Sequence, residues 1–147
     1  MKKHLEKYLH QNIPLSQAMG MQVEEASAVK VILKAPLTPN INHKKTVFGG
    51  SLHAAATLAC WSLLHLNLKE LQDVQIVIAK SEVNFQAPVL GDFTAECLLP
   101  EKKIWERFLK VLEAKSKAPI HLLAHIRSSE QICVAYHGVF VVLKNAS

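Results

Sequence analysis

Between Gly49 and Leu68 the chain runs for twenty residues without an Asp, Glu, Lys or Arg. Ala and Leu dominate the stretch, both strong helix formers, and Gly49-Gly50-Ser51 marks its start. The helix is read as continuing to about Lys69. A helix that is apolar nearly all round has no face to offer water, so something must enclose it. A bilayer or a sheet can do so. Ser51, His53, Thr57, Ser62 and His65 interrupt the run, and its apolar core falls short of the roughly 20 residues a span needs. The segment is therefore expected to be a central helix wrapped by a sheet.

The flanking pattern supplies that sheet. Residues 3–12 carry Leu5, Tyr8 and Leu9 at helical spacing, and Ile13-Pro14-Leu15 breaks the helix. Ser16 begins a further turn towards Met19-Gly20. Strands are expected over Met21–Glu25 and Ala28–Ala35, the second alternating Val29, Val31 and Leu33 with Lys30, Ile32 and Lys34. Pro36 and Pro39 impose a loop that runs to Gly49-Gly50. After the long helix come a β-branched strand, Val74–Phe85, a turn at Gly91-Asp92 and a strand over Phe93–Leu99. A second helix starts at Pro100-Glu101, with Ile104, Trp105, Phe108, Leu109 and Leu112 at helical spacing. Ile120–Ile126 and Ile132–Leu143 form a closing hairpin that turns near Ser128-Ser129-Glu130. The class is α+β, a curved antiparallel sheet around a long central helix, read as one domain over residues 1–147. The order of elements has no βαβ alternation, which disfavours a doubly wound nucleotide-binding fold.

Composition narrows the function classes. The net charge is +5, but the lysines are scattered without interleaved aromatics, so nucleic acid is not the expected partner. The surplus serves solubility, or attracts phosphate-bearing ligands or an acidic carrier protein. Cys60, Cys97 and Cys133 are odd in number, widely spaced and set among apolar residues. Such cysteines read as buried thiols of a reducing, cytoplasmic compartment, with no disulfide framework and no metal site. The lysines at the N-terminus are followed at once by polar residues, so no secretory signal is read there.

The loop before the central helix carries the chemistry. It reads Asn42-His43-Lys44-Lys45-Thr46-Val47-Phe48-Gly49-Gly50 and leads into Ser51-Leu52-His53-Ala54-Ala55-Ala56-Thr57. Paired glycines at a helix start permit close backbone approach by a ligand, or simply close packing. The N–H groups of the first turn lack intrahelical acceptors and sit at the positive end of the helix dipole, so they can polarise a carbonyl. A side chain at Gly50 is expected to crowd that carbonyl or to demand a backbone conformation only glycine adopts cheaply.

These residues resemble a known pattern. Hotdog-fold acyl thioesterases carry Asn-x5-His-Gly-Gly followed by an acid seven residues beyond the second Gly. Here Asn42 stands six residues before Phe48, and Thr57 seven after Gly50. The chain is most similar to the hotdog thioesterase family typified by the C-terminal domain of the bacterial protein YiiD. The likeness rests on Pro39-Asn40-Ile41-Asn42, Thr46-x-Phe48-Gly49-Gly50-Ser51-Leu52, Trp61, Trp105-x-x-Phe108-Leu109 and Tyr136-His137-Gly138-Val139-Phe140. In YiiD the domain follows an acetyltransferase-like domain; this chain is read as the stand-alone form.

The resemblance implies a homodimer or dimer of dimers, with each pocket between subunits, and no metal or redox cofactor. It implies an acyl-CoA or acyl-carrier-protein substrate hydrolysed to the free acid, and no membrane partner. Gly49, Phe48, Ser51 and Trp61 would line the substrate, with Lys44 and Lys45 near its phosphates. Two departures matter. Phe48 replaces the usual His, and Thr57 replaces the carboxylate that activates water. Thr57 can orient a water but cannot act as a general base at neutral pH. His53 shares a helix face with Thr57, and His43 lies in the loop; imidazoles suit base chemistry near neutrality. A packed core histidine and an exposed loop histidine are the structural alternatives. Asn42 can hold a water or the thioester, or can close an Asx turn. Glu82 and Asp92 are weaker candidates, and His65, His121, His125 and His137 are read as structural without partners. Two other functions stay open: a non-catalytic acyl-thioester binding module, and a hydroxyacyl-thioester dehydratase.

Overall fold

The computed structural model describes residues 1–71 and 73–145. The first helices are α1 (Lys2–Asn12) and α2 (Pro14–Ala18), followed by strands β1 (Gln22–Ala26) and β2 (Lys30–Ala35). The central helix α3 covers Gly49–Leu68, and β3 (Val74–Phe85) and β4 (Phe93–Leu98) follow it. The chain ends with α4 (Lys102–Lys115), β5 (Lys117–Ser128) and β6 (Gln131–Lys144). All strand pairs are antiparallel, in the spatial order β1-β2-β4-β5-β6-β3. The expected elements are present with shifted ends. Val29 lies outside β2 and is exposed, so only Val31 and Leu33 of the expected alternation reach the core.

Alternation along the strands builds the inner face. Val31 and Leu33, Phe93, Ala95 and Cys97, five even-numbered residues from Ala118 to Ile126, and Val134, Tyr136, Phe140 and Val142 are all buried. They close on Leu52, Ala55, Ala56, Ala59, Cys60, Leu63 and Leu64 of α3. Burying a leucine of this kind contributes about 1.5–3 kcal/mol. Cys60, Cys97 and Cys133 are unpaired and buried, as their apolar surroundings indicated.

The central helix is not enclosed all round. Gly50 is exposed and His53, Thr57, Trp61 and His65 are half-buried. Spaced by four residues, the last four form one stripe along the helix. The sheet covers the rest, and Tyr8 of α1 stacks on Trp61 and His65 at the far end of the stripe; the expected enclosure of the helix by the sheet holds except along this stripe.

Three local devices shape the frame. The β5–β6 hairpin turns through Ser129 and Glu130, both at positive φ (50° and 65°), which matches strand twist in a two-residue turn. Helix α4 buries Phe108 and Leu112, while Ile104 and Leu109 of the expected stripe face outward. In β3, a bulge between Ile78 and Lys80 leaves Ala79 without a partner in β6. One extra residue reverses which side chains point inward. Beyond it Ser81, Val83 and Phe85 stand opposite Gly138, Tyr136 and Val134.

Candidate active site

Helix α3 is capped by Phe48, whose backbone is extended and whose N–H donates to the buried Asn40 carbonyl at 2.7 Å. Asn40 is itself anchored by its side-chain amide, which donates to the carbonyls of Met19 and Pro36, both at 2.8 Å. The N–H groups of Ser51 and Leu52 return to the Phe48 carbonyl at 2.9 and 3.2 Å. Those of Gly49 and Gly50 precede any intrahelical acceptor and carry the positive end of a 20-residue helix.

Gly50 takes an ordinary negative φ, since Gly20 is the glycine at positive φ. The conformational reason expected for a glycine at 50 is therefore corrected. A Cβ there would lie 2.4 Å from Cε2 of the Phe48 ring, so the requirement is room for that ring. At Gly49 a Cβ would meet the Phe85 ring at 3.7 Å, an ordinary contact. Phe48 and Phe85 are 58% and 53% exposed, two rings beside the helix start that the described residues leave largely uncovered.

One turn into α3, His53 Nε2 lies 2.9 Å from Ser81 Oγ. The His53 ring meets the Tyr136 ring edge-on, with centroids 5.6 Å apart and planes at 69°. A turn further, Thr57 Oγ1 lies 2.8 Å from Tyr136 Oη. Tyr136 is 2% exposed, and burial pushes its phenol up to about 12. Burial likewise pushes the Cys60 thiol up, with Cys97 beside it. The stripe ends in a cluster of three mutually stacked rings, His65 against Tyr8 (4.5 Å) and Trp61 (5.0 Å), and Tyr8 against Trp61 (6.0 Å). Burial of His65, with Lys69 and His4 nearby, lowers its affinity for a proton.

The loop residues sit differently. Asn42 Oδ1 accepts from the N–H of Lys44 (2.9 Å) and of Thr46 (3.1 Å), and Nδ2 donates to Thr46 Oγ1 at 2.9 Å. Both oxygen lone pairs are engaged within a tight turn that holds Lys45 at φ 65°. His43, Lys44 and Lys45 are exposed, and Ser51 is half-buried in the first turn. Asp92 clamps a loop, its Oδ1 accepting from Leu37 N–H at 3.1 Å. Glu82 is exposed and stands opposite His137. The histidines read as partnerless need correcting: His121 Nδ1 lies 2.9 Å from His137 Nε2, and His65 is stacked. Sequence reasoning missed Ser81, Tyr136 and Phe85 as neighbours of the stripe. The irregular polarity of β3 around Lys80-Ser81 was the available signal for the first. Among the described residues, no group of three His, Cys, Asp or Glu is placed to hold a metal ion. No helix among them is long and apolar enough to cross a membrane.

Comparison with known proteins places the fold and the family. The profile of the family described as "Putative thioesterase (yiiD_Cterm)" matches residues 2–144. A protein of unknown function from Chlorobaculum tepidum is 34% identical, with a TM-score of 0.90 over 98% of this chain and 94% of its own. A "putative thioesterase" from Shewanella oneidensis is 26% identical, with a TM-score of 0.84 over 97% of this chain and 96% of its own. A thioesterase from Haemophilus influenzae, 14% identical, shares the fold with a TM-score of 0.77 over 98% of this chain and 91% of its own. The architecture is the hotdog fold, and the chain belongs to the thioesterase family typified by the YiiD C-terminal domain.

Proposed function

We propose that this chain hydrolyses acyl thioesters of coenzyme A or an acyl carrier protein, releasing the free acid. The observation that carries the reading is the open stripe of α3. It presents the free N–H groups of Gly49 and Gly50, then His53, then Thr57, along the open side of a helix whose opposite side is buried. The first-turn N–H groups stabilise negative charge developing on the thioester oxygen. His53, held at Nε2 by Ser81, keeps Nδ1 for taking a proton from the attacking water and passing it to the thiolate that leaves. Thr57 orients the carbonyl or the water, standing where related enzymes place a carboxylate. The turn clamped by Asn42 presents Lys44 and Lys45 to the phosphates of the carrier.

The pocket is completed by a second copy. Strand β3 is a 12-residue edge with a free side, exposing Val77 and Ile78 along it and Phe85 at its end. An edge of this length invites antiparallel pairing with its own copy. That pairing covers Phe48 and Phe85 and turns the α3 stripe into a wall of a closed slot. Turnover of a panel of acyl-CoAs tests the reading: release of free thiol by the wild type, lost in His53→Gln, supports it. Binding without turnover favours the non-catalytic module, and hydration of an enoyl-CoA favours the dehydratase.

A further inference from the structure

We infer that Tyr136 is a positioning residue that commits the Thr57 hydroxyl to donating a hydrogen bond to the bound acyl carbonyl, and that Gly138 is the seat that lets it do so. The inference rests on the thioester reading above. It begins with the direction of one hydrogen bond. At 2.8 Å either hydroxyl can donate. Tyr136 is 2% exposed, and Thr57 is the partner the structure gives its hydroxyl. If Thr57 donated, the phenolic hydrogen would be buried without an acceptor, which is costly. Tyr136 therefore donates to Thr57, and the high proton affinity of its buried phenol keeps that hydrogen in place. The Thr57 hydrogen is then free to turn to the half-open side of the helix, where His53 and the helix start also face.

The seat is built by the strand. Tyr136, Gly138 and Phe140 share the inner face of β6. A Cβ on Gly138 would lie 2.9 Å from Tyr136 Cε1, 3.0 Å from Tyr136 Oη and 2.7 Å from Phe140 Cε1. The two rings thus lean together over a position with no side chain, and that lean carries the tyrosine hydroxyl to Thr57. Opposite Gly138 stands Ser81, the residue that holds His53. One glycine therefore lies against the Tyr136 ring and pairs with the strand position that holds the imidazole.

The chemical consequence is a change of role at position 57. A carboxylate there attacks or activates water. Thr57 lies about 10 Å along α3 from the Gly50 of its own chain, so a hydroxyl that already accepts from Tyr136 instead donates to a carbonyl held at the helix start of the second copy, leaving proton transfer to His53.

The test uses an acyl-CoA analogue whose sulfur is replaced by methylene, labelled with carbon-13 at the ketone and bound to the full chain. Its carbonyl stretch is read by difference infrared spectroscopy. Wild type and Thr57→Ser should shift the stretch to lower frequency, and Thr57→Val and Tyr136→Phe should return it towards the solution value. With acyl-CoA, Tyr136→Phe should lower kcat roughly tenfold to a hundredfold with KM changed by less than about twofold. In a Thr57→Val background the same change should cost nothing further. A stretch or kcat indifferent to Tyr136→Phe overturns the inference and leaves thioester hydrolysis standing. An analogue that does not bind the wild type withdraws both.

Discussion

Ser81 reaches His53 across 2.9 Å because β3 contains one residue more than its partner strand needs. Without the bulge at Ala79, the inward position would fall to Lys80 or Glu82. Ser81→Ala leaves the strand intact and removes the tether on Nε2. It should lower kcat about tenfold, with the melting temperature nearly unchanged. Steady-state kinetics beside thermal melts check this; full activity in a folded variant removes Ser81 from the site.

Gly50→Val places a Cβ 2.4 Å from the edge of the Phe48 ring and should abolish turnover, a loss of roughly a hundredfold or more as the helix-start donors are screened. The pair Gly50→Val with Phe48→Ala separates two causes. If displacement of the ring is the whole effect, the double variant regains activity. If the valine crowds the thioester oxygen, it stays inactive while circular dichroism reports a folded helix.

Asn42→Ala removes three hydrogen bonds that define the turn around Lys45. A loss of about 1–2 kcal/mol of stability is expected, together with faster proteolysis in the Lys44-Lys45 loop. KM for acyl-CoA should rise more than kcat falls. A pure kcat effect with unchanged stability would return Asn42 to a direct part in the chemistry.

Val77→Lys with Ile78→Lys charges the free edge of β3 and should give monomers in light scattering, with turnover falling in parallel. Full activity in a monodisperse monomer would show that one copy holds the whole site.

Alkaline stability follows from Tyr136, whose phenol rises from 10.0 to about 12 on folding. Below pH 10 both states keep the proton, and this contribution is fully present. Between pH 10 and 12 the unfolded chain releases its proton while the native one holds it, so stability falls by about 1.4 kcal/mol per pH unit. Cys60 adds a decline of the same sign from about pH 9 upwards. His65 works at the other end: its proton affinity is lowered on folding from 6.5, so stability falls as pH drops through that range. Urea melts at pH 9, 10 and 11 on wild type and Tyr136→Phe should diverge above pH 10. Parallel curves would refute the assignment.

Periodicity and punctuation made the frame legible in advance. Leu, Ala and glycine signals marked α3, a β-branched run marked β3, the turn near Ser128-Ser129-Glu130 marked the hairpin of β5 and β6, and Pro100-Glu101 marked the entry to α4. These signals are local, because backbone conformation and one-sided burial act over a few residues. The neighbours of the stripe were not legible in this way. Ser81 is brought in by a register shift, and Tyr136 is 79 residues from Thr57 in sequence. Neither separation nor parity shows in a single strand read alone. Asn42 illustrates a different limit. Its spacing to the glycines is compatible with a catalytic amide and with an Asx turn, and only the hydrogen-bond partners show that its oxygen is occupied.

The four-residue rhythm of His53, Thr57, Trp61 and His65 also separates two kinds of inheritance. Substitutions on the other sides of α3 disturb a close-packed interior and meet strong purifying pressure. Positions 53 and 57 fill little of that interior, so descendants can exchange them for other polar side chains that keep a partner for Ser81 and Tyr136 while the packing is undisturbed. A lineage built on this scaffold can thus drift from carboxylate to hydroxyl chemistry one side chain at a time, each intermediate still a folded protein on which selection can act.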